Sequence, residues 1–254
     1  MLTVLLLGIS GPSCSGKTTL ARLLRDALSP HAFILHEDDF YVADALIPVK
    51  TVSDGRRLQD WDCLEAIDRE GLKGMLGCVK EFGEVREGFE SKEDQNAVGE
   101  VRVDGGVVEA WRRRFGSFFG GEIEGVVRIC IVDGFLLFSE EMEEVRQLFD
   151  VRLLLRADYR TVKRRREART GYATLEGFWE DPQGYVDEIV WPSYVRDHKI
   201  LFVDENVEGE PDQPTITKLG IDVAPKEAGY DMTKAFEWAA EILMKALGRL
   251  EYKN

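Results

Sequence analysis

The sequence predicts an α/β fold, a parallel β-sheet with helices on both faces, and three observations carry that reading. Short apolar runs recur along the chain with helical patterns between them. Most of those runs lack strict alternation, as strands buried on both faces do. The first apolar run leads directly into Gly11-Pro12-Ser13-Cys14-Ser15-Gly16-Lys17-Thr18. That octet fits G-x-x-x-x-G-K-[ST], the phosphate-cradling turn between a buried strand and a helix.

Taken in order, Val4–Ile9 reads as the opening strand, and its glycine-rich sequel lets backbone N–H groups converge on phosphate oxygens. The helix expected over Lys17–Leu28 adds the positive end of its dipole. Lys17 is placed to reach the β- and γ-phosphates and Thr18 to bind Mg²⁺ through its hydroxyl. Gly11, Ser13, Cys14, Ser15, Gly16, Lys17, Thr18 and Thr19 are therefore the expected contacts to a nucleoside triphosphate.

Ala32–Leu35 reads as a second strand, followed by His36-Glu37-Asp38-Asp39-Phe40-Tyr41. A carboxylate at a strand's carboxyl end can accept a hydroxyl proton or hold Mg²⁺. Asp62–Phe82 is expected as a helix, with Asp62-Cys63-Leu64-Glu65 spaced as an N-cap box. Gly83 to Gly125 departs from the rhythm, being rich in Gly and Glu, and residues 101–108 look like a small hairpin. Arg112-Arg113-Arg114 within it reads as a solvated face.

Val127–Val132 and Val151–Leu155 supply further strands, the first ending in Asp133, a single carboxylate of the kind that suits a small kinase. Helical patterns cover Glu140–Phe149, Tyr159–Thr170 and Tyr185–Asp197. Within Tyr159–Thr170, Arg165 and Arg169 share one face with Arg166 alongside, a cluster that stands out in so acidic a chain. Arginines on such a helical lid can neutralise charge developing on a transferred phosphoryl group. Ile200–Val203 reads as a last strand, residues 206–229 as a polar loop, and Met232–Leu247 as a helix closing on the core.

Composition narrows the partners. The 254 residues, 44% hydrophobic and 31% charged, describe an ordinary globular chain, read as one domain with an insertion at about 83–125. A net charge of −14 argues against nucleic acid or an acidic membrane surface as a partner. No apolar run approaches the ~20 residues of a membrane span, and the apolar start reads as a core strand instead of a signal peptide. Four scattered cysteines fit reduced thiols and a cytoplasmic setting. Among phosphate-loop proteins, GTPases need N-K-x-D, and none of the asparagines begins one.

In this order, the phosphate loop, D-D-F-Y at 38–41, W-D-C-L-E-A at 61–66, I-V-D-G-F-L-L-F at 131–138, the K-R-R-R lid and G-Y-V-D-E-I-V-W-P at 184–192 complete a pattern. Together they resemble the nicotinamide riboside kinases, in the uridine kinase-like branch of small-molecule P-loop kinases. The resemblance covers most of the chain outside 83–125 and 206–229. It implies transfer of the γ-phosphoryl of ATP to the ribose 5′-hydroxyl of nicotinamide riboside, in NAD salvage. Asp38 is then the proton acceptor, with Lys17 the other catalytic group and Thr18, Asp38 and Asp133 the Mg²⁺ side. Asp38, Asp39, Phe40, Tyr41, Trp61, Asp62, Arg166 and Tyr172 line the acceptor, and Arg165 and Arg169 contact ATP. The riboside's ring is a pyridinium cation, so a stack on Trp61 is a cation–π contact. A uridine/cytidine kinase, or another small-molecule kinase of the branch, is the alternative. From a different class, so is an ATP-binding regulatory protein without turnover. A monomer or a homodimer is expected.

Overall fold

A computed structural model of the chain describes residues 2–92, 99, 101–121, 126–169, 171–173 and 177–251. In chain order the elements begin with β1 (Leu2–Ser10), α1 (Lys17–Leu28), β2 (Ala32–His36), β3 (Val49–Thr51), β4 (Arg57–Gln59) and α2 (Arg69–Phe82). Next come α3 (Gly105–Phe119), β5 (Val126–Asp133), α4 (Glu143–Arg146), β6 (Val151–Leu154) and α5 (Tyr159–Glu167). The chain finishes with β7 (Tyr172–Ala173), β8 (Phe178–Trp179), α6 (Trp191–His198), α7 (Gln213–Leu219), β9 (Asp222–Val223) and α8 (Met232–Glu251).

The central sheet is parallel, in the order β2-β5-β1-β6-β9. Side chains alternate across β1 because a strand has a period of two. Leu5, Leu7 and Ile9 face α1, α3 and α8, where Leu20, Leu24, Phe115, Phe236 and Leu243 bury one core. Leu6 faces the opposite layer, with Leu72, Leu76 and Val79 of α2 and Phe138, Phe149 and Tyr194. A third apolar cluster joins Ile47, Leu58 and Trp61 to Val162, Tyr185 and Ile189. The register pairs Ile9 and His36 with Asp133, so three neighbouring strands end at one level on the carboxyl edge of the sheet. Ligands bind at that edge in open α/β sheets.

Several local expectations need correction. Residues 101–108 do not form a hairpin: Asp104 accepts hydrogen bonds from Gly106 and Val107 and starts α3. Trp111 and Phe115, four apart, are buried, each contributing about 1.5–3 kcal/mol by leaving water. This part of the 83–125 segment is thus core, and the Arg112–Arg114 triplet is exposed as expected. The helix expected from Asp62 begins at Arg69, capped by Asp68 accepting from Gly71, so Asp62 is no cap. Ile200–Val203 is not a strand; it bends through 3₁₀ turns, with Asp204 at φ 53°. The fifth strand is instead β9, inside the 206–229 segment, which also contains α7. Residues 199–205 therefore belong to a connection, and the segment expected as a polar loop supplies the sheet's edge. Among the described residues, no helix is long and apolar enough to cross a membrane.

Candidate active site

The phosphate loop leaves β1 at Ser10 and enters α1 at Lys17. Its two glycines are required by geometry. Gly11 has φ +144° and a Cβ there would lie 2.6 Å from the Leu155 carbonyl oxygen; Gly16 has φ +100°. Only glycine adopts such angles without strain. Cys14 nevertheless sits at φ 57°, a left-handed position that disfavours side chains. Lys17 Nζ donates to the carbonyls of Gly11 and Pro12, at 3.0 Å each. Ser15 Oγ is buried with no hydrogen-bond partner among the described residues, as a donor meant for a phosphate oxygen would be.

Three carboxylates and a histidine meet this loop at the sheet edge. Thr18 donates its hydroxyl to Asp133 Oδ2 at 2.5 Å, and His36 Nδ1 bonds the other oxygen of Asp133. Burial pushes the Asp133 carboxyl up, but hydrogen bonds from His36 and Thr18 and the nearby Lys17 charge outweigh it and hold it below its usual range. Asp38 behaves oppositely. Burial and the neighbouring Asp133 charge raise it, against Lys17 and His36, which lower it. Glu37, fully buried, accepts from the backbone N–H groups of Phe135 and Leu136 at 2.6 and 3.0 Å. Burial, reinforced by the Asp38 charge, lifts its carboxyl to about 8 in spite of those bonds.

A metal test can be made on the donors themselves. Among the described residues, no three His, Cys, Asp or Glu side chains form a cage. One hydroxyl and one or two carboxylates, with phosphate oxygens completing the shell, suit Mg²⁺. Thr18, Asp133 and Asp38 match that donor set.

Arg166 of α5 is the hub of a second group of polar residues beside the loop. Its guanidinium donates to Ser13 Oγ at 2.7 Å, to Asp181 at 2.6 and 3.1 Å, and to Asp62 at 3.5 Å. Arg166 and Asp62 are both buried. Burial raises Asp62 to about 6, with Arg166 opposing and the Asp181, Asp60 and Asp38 charges adding to the rise. Trp179 Nε1 also donates to Asp181, at 2.9 Å. Trp61 is buried, tilted against Trp179 at 5.6 Å and edge-on to Tyr41 at 5.2 Å. Its backbone N–H donates to the Tyr185 hydroxyl at 3.0 Å.

Not every predicted residue converges. Asp39 accepts from the Lys92 N–H at 2.7 Å, and Phe40 stacks on Phe89, so both turn toward the segment after α2. Arg165, by contrast, does reach the phosphate loop, donating to the carbonyls of Cys14 and, beyond it, Gly229. Arg169 lies past the end of α5 and, with Gly171 and Asp181, lines a cavity of about 240 Å³. The backbone of Tyr172 pairs with Trp179, but its side chain lies outside the described residues. Sequence reasoning missed His36, Glu37, Trp179, Asp181 and Tyr185. Trp179-Glu180-Asp181 repeats the aromatic-then-acid theme of Trp61-Asp62, the one signal that could have found it.

The comparisons with known proteins bear on this geometry. No family model matches the chain. It is 35% identical to the nicotinamide riboside kinase of Schizosaccharomyces pombe, over 96% of this chain and 97% of the relative. The nicotinamide riboside kinase of Saccharomyces cerevisiae is 35% identical over 81% of this chain and 82% of its own. That of Eremothecium gossypii is 35% identical over 85% and 84%. Relatedness of this extent, spanning loop, carboxylates and lid alike, means that the chain belongs to the nicotinamide riboside kinase family.

Proposed function

We propose that this chain, acting as one kinase domain, transfers the γ-phosphoryl group of Mg·ATP to the ribose 5′-hydroxyl of nicotinamide riboside, yielding nicotinamide mononucleotide. The observation that carries the reading is the reach of Arg166. One buried guanidinium joins the phosphate loop, through Ser13, to the acceptor-side carboxylates Asp62 and Asp181. Nucleotide and acceptor are thereby addressed by the same rigid group, and positioning is most of what phosphoryl transfer demands of a protein.

Each residue then has a task. The backbone of Gly11 to Gly16, with Ser15 Oγ and Thr19, cradles the phosphates; Lys17 exchanges its carbonyl partners for phosphate oxygens. Arg165 and Arg169 bring positive charge from the lid. Thr18, Asp38 and Asp133 would hold Mg²⁺, whose charge offsets that of the phosphate oxygens. Asp38, its proton affinity raised by burial and by Asp133, takes the proton of the attacking hydroxyl. Asp62 accepts from ribose hydroxyls, and the Tyr41, Trp61 and Trp179 rings form the apolar wall for a cationic base.

The experiment is ADP release measured with Mg·ATP over a panel of nicotinamide riboside, nicotinic acid riboside, uridine and cytidine. Nicotinamide riboside is expected to show the highest kcat/KM. A higher value for uridine or cytidine would replace the riboside reading with the pyrimidine one, and no turnover on any nucleoside would favour a regulatory ATP-binding protein.

A further inference from the structure

His36 stands where nothing in the mechanism above uses it. It ends β2, is 1% exposed, and lies directly across the parallel ladder from Asp133. An imidazole buried at a strand end replaces the apolar residue that such a position usually takes, so its polar contact has to account for it. That contact is the bond from Nδ1 to Oδ1 of Asp133, made 97 positions away in sequence. A carboxylate only accepts, so Nδ1 carries the hydrogen. The second oxygen of Asp133 receives the Thr18 hydroxyl at 2.5 Å. With both oxygens held, the carboxylate plane is set by its partners and not by its own torsions.

We propose that His36 is a positioning residue for phosphoryl transfer: by holding one oxygen of Asp133, it keeps the other turned toward the Thr18 hydroxyl and the metal-nucleotide that this pair receives. The inference rests on the reading of Thr18 and Asp133 as the metal side of an ATP site. Partners that orient metal-binding carboxylates from behind typically govern about 10- to 100-fold in metal affinity or activity. His36 acts on the carboxylate of Asp133 and not on the phosphates, so its loss should leave metal-free nucleotide binding intact.

The test measures ATP affinity calorimetrically in EDTA and in excess Mg²⁺, with no acceptor present, and takes their ratio as the metal-dependent gain. His36→Leu should keep the EDTA affinity within about threefold of wild type while the gain shrinks by about 10- to 100-fold. His36→Asn, which retains a donor near the Nδ1 position, should recover most of the gain. If the leucine variant does not fold, His36→Met removes the donor at similar bulk. A structural role alone would lower both affinities together, or leave Asn no better than Leu, and either result overturns the proposal. So does an unchanged gain in a folded Leu or Met variant, or a wild type with no gain at all. A wild type that shows the gain but does not phosphorylate nicotinamide riboside would sink the acceptor reading and leave this one standing.

Discussion

Arg166 makes a chain of contacts whose strengths can be ranked before any measurement. Toward Asp181 it presents a two-pronged pair, Nε at 2.6 Å and Nη2 at 3.1 Å, between side chains 8% and 17% exposed. Toward Asp62 it presents one contact at 3.5 Å, although that carboxylate is the more deeply buried. Bidentate guanidinium–carboxylate pairs are the stronger kind, and 3.5 Å is the limit of a useful bond. Removing one partner of a buried pair costs about 3–5 kcal/mol, most of it from the charge left behind. We therefore expect Arg166→Met to destabilise by about 3–5 kcal/mol and Asp181→Asn by about 2–3, the lower figure reflecting partial exposure. In double-mutant cycles by urea unfolding, the Arg166–Asp181 coupling should reach about 1.5–3 kcal/mol and the Arg166–Asp62 coupling stay below about 1. Little salt dependence should accompany either, since the pairs are shielded from mobile ions. A larger coupling to Asp62 than to Asp181 would refute the ranking and with it the view of Asp181 as the strut that aims Arg166.

Three other outcomes follow from the same site and core. Asp38→Asn should preserve ATP affinity measured in EDTA and lower kcat by about 10²–10⁴, with the lower end expected for a loose transition state; turnover within about threefold of wild type would remove Asp38 as the base. Asp62 has a folded value raised from 3.8 to about 6, so its contribution is intact below pH 3.8 and is lost as pH rises through 6. Asp62→Asn should accordingly gain up to about 3 kcal/mol at pH 7.5 and nothing near pH 3.5, while KM for the riboside rises; equal melting-temperature shifts at the two pH values would contradict it. His198 is buried against Tyr194, and burial lowers it from 6.5 to about 4. Its neutral form is the native one, so stability should fall by about 3 kcal/mol as pH drops from 6.5 to 4, and His198→Phe should flatten that slope in acid-denaturation curves.

What could be read from the sequence was whatever is encoded locally. The phosphate loop was legible because its ligands lie within eight contiguous residues, and backbone conformation there is dictated by Gly11 and Gly16. The inner strands were legible because two buried faces demand continuous apolar runs, as in Ile129–Val132. Helix α5 starts at Tyr159 as its pattern predicted, and Asp38 and Asp133 lie just past and at the ends of strands where the sequence put them.

Tertiary structure decided the rest, where the partner and not the segment chooses the outcome. β9 is two residues long and unremarkable in sequence; it is a strand because the open edge of β6 offers Leu153 and Leu154 for pairing. Ile200–Val203 has the composition of a strand, but among the described residues it makes only an isolated bridge, Phe202 to Pro211, and otherwise turns through 3₁₀ geometry. Val101–Val108 alternates like a hairpin, yet the burial of Trp111 and Phe115 against α1 and α8 favours a helix. The site follows the same rule. Arg166 is joined to residues 15, 104 and 153 positions away, and His36 to one 97 away. No local pattern encodes such pairings, because they arise only when the sheet brings three strand ends to one edge and burial makes an unpaired charge there too costly to leave.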